Sequence, residues 1–380
     1  MRIKVLDGFR TIAVLGVLWA HIWMFCGTPS FTIANVDLAR LISFFGTGVD
    51  LFFVISGFCM YLMYISKNPE FNISYYLGYI KKRWLRIAPA FYAAVLVYGL
   101  VAVSFNLKLF NWEYASHHIL FVKNLFPEKT LYAPHFWSLC TEWHFYIVLP
   151  LIVWGINRFT FKSTIITVIL FCIAFRFIMW MPNDDFDNIL NYSILNRLIE
   201  FVIGIIAARV YTDNRQEWFL RSASGLVIGA VIAFSGRMLM SAGLQERPDM
   251  IGQLSRTFNL PLLTLGYALV IVNALKYKSL FSDFLGSQLM TMIGKYSYSM
   301  YLWHWIVAEL LSKYFIANWK INGFLAVNII FLLSVLILVP ISKLSYYLFE
   351  SFYFKKRKLL MNTVVAGSSA GSLDQRSENA

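Results

Sequence analysis

Charge is scarce in this chain. Of its 380 residues, 14% are Asp, Glu, Lys or Arg, against roughly 25% in soluble globular domains. So apolar a chain is neither disordered nor an ordinary soluble enzyme. Acidic residues are the scarcer kind, 20 against 33 Lys+Arg, for a formal net charge of +13. With little polar surface on which to spread a basic patch, a nucleic-acid partner is not expected. The only cysteines are Cys26, Cys59, Cys140 and Cys172, with no close pairing and no metal-ligand spacing. A disulfide framework and a zinc site are therefore excluded, no metal is expected, and the thiols read as small buried side chains. Also missing are a Walker or Rossmann glycine pattern, His-Glu-x-x-His and a Gly-x-Ser-x-Gly elbow, which leaves hydrolase, kinase and metalloprotease readings without support.

What the sequence does have is length without charge. Hydrophobic residues make up 59% and aromatics 18%. A membrane-crossing helix needs about 20 mostly apolar residues. Thr11–Val36, Ile87–Leu107, Thr257–Leu275 and Ile321–Ser342 carry no Asp, Glu, Lys or Arg. Stretches at about 45–65, 136–156, 163–182, 192–210, 222–243 and 288–311 carry few charges. The fold class that follows is all-α, a polytopic integral membrane protein of about ten transmembrane helices. The first run is too long for a signal-peptide core and reads as a retained helix.

The basic residues orient this bundle. With the N-terminus inside, 22 of the 33 Lys+Arg fall on the cytoplasmic side, so both termini are expected to be cytoplasmic. Residues 1–355 then form one transmembrane domain. Residues 356–380, basic and then rich in Ser, Gly and polar side chains, read as a disordered cytoplasmic tail.

Ionisable side chains inside spans are costly and mark candidate sites. Arg10 and His21 are eleven residues apart, three helical turns, so they share one side of the first span about 16 Å apart along the axis. Arg10 alone reads as an interface anchor, and His21 alone as either a structural hydrogen-bonder or a catalyst. Together they suggest an anion site at the inner rim communicating with a deeper base, a role suited to histidine. Asp50, in Gly46-Thr-Gly-Val-Asp-Leu-Phe-Phe-Val-Ile-Ser-Gly-Phe58, is either a site residue or the start of a tightly packed helix. Lys81-Lys-Arg-Trp-Leu-Arg-Ile-Ala-Pro89 ends a cytoplasmic loop. Arg83 and Arg86 lie on one helical face, where guanidinium forks suit phosphate; topology and contact with anionic membrane lipid are the plainer accounts. Ser138, Glu142 and Tyr146 share a face by their spacing of four, which puts a carboxylate inside the membrane. Arg176 or Arg197 is its candidate partner, although Arg197 and Glu200, three apart, can pair with each other. His144 points elsewhere, and His304 reads as a satisfied core histidine.

These segments occur in the order of a known family. Arg10-x10-His21, Gly48-Val-Asp-Leu-Phe-Phe-Val-Ile-Ser-Gly-Phe58 and Arg83-x-x-Arg86-Ile-x-Pro89 come first. Phe136-Trp-Ser-Leu-x-x-Glu142-x-x-Phe-Tyr146, Arg197-x-x-Glu200-Phe-x-x-Gly204, Tyr296-Ser-Tyr-Ser-x-Tyr-Leu-x-His304 and Tyr347-Leu-Phe-Glu350-Ser follow. Together they resemble the acyltransferase family 3 membrane proteins, which include O-antigen O-acetylases, Nod-factor acetylases and macrolide acyltransferases. The resemblance implies a multi-pass enzyme of the bacterial cytoplasmic (inner) membrane. It would move an acyl group, usually acetyl, from cytoplasmic acetyl-CoA to a hydroxyl of a carbohydrate such as an O-antigen, the glycan of lipopolysaccharide. Arg10 and His21 match the family's essential pair, Arg83 and Arg86 its arginine motif, and Glu142 its acidic position. Some members add a periplasmic esterase-like domain, and here the membrane unit is expected to act alone.

Physical reading and resemblance combine into one expected mechanism. CoA phosphates dock on Arg83, Arg86 and Arg10, and His21 accepts the proton of the attacking hydroxyl or is itself transiently acylated. Glu142 orients His21. Asp50, Ser138, Tyr146, Arg197, Glu200 and His304 support the substrate or the structure. The outside loop at about 105–135, with His117 and His118, is a candidate acceptor-binding element. The rivals are a proton- or anion-coupled transporter that uses the same Arg, His and Glu as a relay, and a non-catalytic partner of a polysaccharide machine.

Overall fold

A computed structural model describes residues 3–33, 36–37, 40–67, 69, 72–104, 112–126, 133–179, 191–213, 222–240, 242–316 and 323–352. The tail assigned to 356–380 lies outside these residues, as do 105–111 and 127–132 of the loop expected to touch an acceptor.

The long helices are α1 (Lys4–Phe25), α2 (Gly48–Met63), α3 (Ile73–Ser104), α4 (Trp137–Arg158), α5 (Phe161–Met179), α6 (Ile194–Thr212), α7 (Ala223–Met238), α8 (Met250–Lys276), α9 (Ser297–Tyr314) and α10 (Gly323–Ser345). Each expected span has its helix. Seven helical segments among the described residues are long and apolar enough to cross a membrane, which makes this a multi-pass membrane protein. The remaining long helices fall short for visible reasons. α6 carries Arg197, Glu200 and Arg209, α7 has 16 residues, and α9 is diluted by Ser, Tyr and His. The only strand pairing among the described residues is a two-residue antiparallel ladder, Thr32–Ile33 with Val36–Asp37.

Boundaries moved where polar residues continue a helix. α1 begins at Lys4 rather than Thr11, and α3 takes in Lys81, Lys82, Arg83 and Arg86, so the basic cluster sits on a helix rather than at the end of a loop. Once a helix is formed, carrying it on satisfies backbone groups that a loop would leave open. The stretch expected as one span at 288–311 is broken at Tyr296, between a short helix Gln288–Lys295 and α9.

Close helix approaches set the site. A Cβ on Gly57 would lie 2.0 Å from the carbonyl oxygen of Phe201, and one on Gly204 would lie 2.1 Å from that of Val54. Only glycine lets α2 and α6 come this near, and their contact brings Asp50 within reach of Arg197. At the start of α2, two residues before Asp50, Gly48 packs against the Ala13 carbonyl of α1. The centre of the bundle is aromatic: Phe58, Phe91, Phe136, Phe145 and Phe201 are fully enclosed.

Candidate functional site

Two cavities lie between α1, α2, α4 and α9. The larger, about 580 Å³, has His21, Trp305, Asp50, Arg197 and Lys123 in its lining. The smaller, about 80 Å³, is lined by Arg10, Arg86, Glu142 and Tyr146. Both are bordered by Val49 and Tyr301. Arg10 and His21 thus face different chambers from one side of α1, as their spacing requires. The Tyr301 hydroxyl donates to the carbonyl of His135 at 3.0 Å and lies 2.7 Å from Ser138 Oγ. That tie holds its ring at the junction.

His21 has a partner from a distant part of the chain. Its Nδ1 lies 2.9 Å from His304 Nε2, and His304 Nδ1 lies 2.6 Å from the Tyr301 carbonyl oxygen. A carbonyl only accepts, so His304 Nδ1 carries a proton, and in the neutral ring Nε2 is then an acceptor. His21 must donate from Nδ1, which leaves its Nε2 as a lone pair, the atom a general base uses. The His21 and His304 rings stack at 5.1 Å, and Trp305 meets the His21 ring edge-on at 4.8 Å. The sequence reading of His304 as a core histidine holds for burial, since it has no exposed surface, but it missed the contact with His21.

Glu142 is not the residue that orients His21. Its Oε1 accepts from Ser56 Oγ and, at 2.6 Å, from the Tyr146 hydroxyl. Neither Arg176 nor Arg197 is its ionic partner. Arg176 is enclosed by the Thr257 carbonyl at 2.9 Å, the side chain of Asn259 at 2.7 Å, Asn196 and the Arg256 carbonyl. The shared face of Ser138, Glu142 and Tyr146 is as expected, and all three line the smaller chamber.

Arg197 reaches both acids. Its Nη1 lies 2.7 Å from Asp50 and 3.0 Å from Glu200, and its guanidinium sits 5.1 Å from the Trp137 ring. The expected Arg197–Glu200 pair is therefore present, enlarged by Asp50 from α2. Three charges in one apolar bundle need such mutual compensation.

The two motif arginines part company. Arg86 faces the smaller chamber and has no hydrogen bond or ion pair to another described residue. Arg83 is 2% exposed, donates to the Tyr64 hydroxyl at 3.1 Å, and is surrounded by the rings of Tyr64, Tyr79 and Tyr146 at 5.0, 5.9 and 5.5 Å. It lies behind the chamber wall, so the phosphate pair expected on one face is split. Arg10 lines the chamber while held by Asp7 at 2.7 Å and by Cys59 Sγ at 3.2 Å. Cys59 is thus more than a space-filling thiol.

The connecting loop reaches the larger chamber through Lys123, while His117 stacks on Phe126 and His118 is buried against Phe136. Lys123 is 1% exposed and donates to the Phe126 carbonyl at 3.0 Å, and burial pushes its ammonium down to about 8. His144 does point elsewhere, to Asn124 at 3.2 Å. Lys123, His135 and Trp305 also line the chamber and escaped the sequence reading. None stands in a charged or spaced pattern that would mark it, although His135 opens a motif already singled out.

The acyltransferase domain model of family 3 matches residues 3–343. The chain belongs to the acyltransferase 3 family. Among its relatives are the O-acetyltransferases OatA of Staphylococcus aureus strains NCTC 8325, COL and MRSA252. Each is 24% identical over 374 residues, covering 92% of this chain and 57% of the relative. The chain therefore spans little more than half the length of these relatives. No solved structure matches it.

Proposed function

We propose that this family member transfers an acetyl group from acetyl-CoA to a hydroxyl of a cell-surface carbohydrate, with the donor in the smaller chamber and the acceptor in the larger. The observation that carries this reading is the pair of chambers meeting at Val49 and Tyr301, cationic on one side and furnished with an open imidazole lone pair on the other. The name of the OatA relatives supports the reaction type.

In this reading CoA enters from the cytoplasm and its phosphates meet Arg86 and Arg10, while the pantetheine arm carries the thioester toward Tyr301. The acceptor hydroxyl gives its proton to His21 Nε2 as its oxygen attacks the thioester carbonyl. The carbon–sulfur bond breaks, and His21 returns the proton to the leaving thiolate. Trp137, Tyr192 and Trp305 offer flat apolar faces for a sugar ring, and Asp50 and Arg197 offer polar edges. We take a glycan of the O-antigen class as the acceptor, and an inner-membrane location with both termini cytoplasmic agrees with the proposed donor's compartment and with the basic-residue distribution.

The test is to incubate the purified protein with labelled acetyl-CoA and surface glycan, and to follow both free thiol and acetylated sugar. Equal release of thiol and acetyl-sugar is the expected result. No thiol release, together with uptake of solute into vesicles, would instead establish the transporter reading.

A further inference from the structure

Resting on the acyl-transfer reading just given, we infer that His304 is the positioning residue that fixes His21 in the tautomer able to act as base. Both halves of the inference are geometric. His304 is locked by its own helix, with Nδ1 2.6 Å from the Tyr301 carbonyl, and its ring is enclosed by those of Tyr301 at 5.0 Å and His135 at 4.8 Å. It has no exposed surface and does not line either chamber, so it touches no substrate. Its remaining nitrogen points at His21 Nδ1 from 2.9 Å. With one nitrogen committed to a carbonyl, the other is obliged to accept, and His21 is obliged to present its lone pair at Nε2.

The consequence for the reaction is a division of labour. His21 Nε2 takes the hydroxyl proton while the new carbon–oxygen bond forms and the carbon–sulfur bond breaks. The imidazolium formed on His21 keeps its Nδ1–H bond to His304 Nε2 throughout, and His304 neither gains nor loses a proton. The proton on His21 Nε2 then passes to the departing CoA sulfur. Without the acceptor at His304, the His21 ring is free to hold its proton on Nε2, where it blocks attack. The arrangement does with a neutral imidazole what a carboxylate does when it orients a catalytic histidine.

Three substitutions separate positioning from mere packing. Phenylalanine fills the His304 space without an acceptor. Glutamine carries an amide oxygen out to about where Nε2 lies, and asparagine carries one only as far as Nδ1. In detergent-purified full-length protein with acetyl-CoA and glycan, His304→Phe should lower kcat about 100-fold and leave the KM for acetyl-CoA within about 2-fold. His304→Gln should recover at least about tenfold over the phenylalanine variant, while His304→Asn should not. If the phenylalanine variant fails to elute as a folded protein, the glutamine–asparagine contrast decides alone. A His304→Phe protein with near wild-type kcat, or equal recovery by Asn and Gln, overturns the inference while leaving the acyltransferase reading in place. A wild-type protein that transfers no acetyl group overturns that reading, and this inference with it.

Discussion

The Arg197 guanidinium joins two acids that sequence places 150 positions apart, Asp50 on α2 at 2.7 Å and Glu200 on its own helix at 3.0 Å. Removing the cation leaves two buried carboxylates facing each other in an apolar bundle. Arg197→Leu should therefore destabilise the protein by about 3–5 kcal/mol, read as a lowered Tm in detergent. Asp50→Asn in the same background should restore part of the loss, because it removes one of the stranded charges. Additive losses in the double variant would show that the cluster is not a unit.

Arg83 and Arg86 should separate in the assay as they do in space. Arg86 faces the smaller chamber with no hydrogen bond or ion pair to another described residue, so Arg86→Ala should raise the KM for acetyl-CoA about 10- to 100-fold by deleting a charge-assisted phosphate contact, with Tm nearly unchanged. Arg83 sits among three tyrosine rings, so Arg83→Ala should lower Tm instead. A steep KM effect from Arg83→Ala in a protein of wild-type Tm would contradict this division.

Those two arginines show how far the sequence could be read. A spacing of three on a helix is 300°, which leaves about 60° between side chains. That is close enough to call one face, yet at the edge of a chamber it is enough to expose Arg86 and bury Arg83. Spans were legible because apolar length is a local property. The Arg10–His21 and Ser138–Glu142–Tyr146 alignments were legible because helical phase is local too. Phase does not say which neighbour a face meets. Phase alone therefore allows Glu142 to be paired with His21, whereas its partners are Ser56 and Tyr146, and it offers no way to match His304 with His21, 283 positions away. Lys123 escaped because a single lysine in a loop looks like a topology signal until the fold encloses it.

Gly57 tests whether the α2–α6 approach builds the site. A Cβ there would collide with the Phe201 backbone at 2.0 Å, and backbone does not step aside as a side-chain tip can. Gly57→Ala should cost about 1–3 kcal/mol by overpacking, and it should lower kcat as well, because parting the helices draws Asp50 from Arg197. If Gly57→Ala changes neither Tm nor kcat, the contact is looser than the geometry shows. If it lowers Tm alone, the acid–arginine cluster stays assembled without that approach.

Lys123 predicts a pH dependence of stability with a definite sign. Burial lowers its ammonium from 10.5 to about 8, so the folded protein releases this proton before the unfolded chain does. Between about pH 8 and the usual lysine value the unfolded state holds more protons, and stability must rise with pH across that window. Below it, lysine is charged in both states and the folded protein bears the full cost of burying the charge. Lys123→Met removes the titrating group. Relative to this variant, the wild-type Tm should therefore climb as pH goes from 7.5 to about 10. The two Tm curves running parallel over that range would mean that the ammonium stays solvated, and that Lys123 does not carry its charge into the wall of the larger chamber.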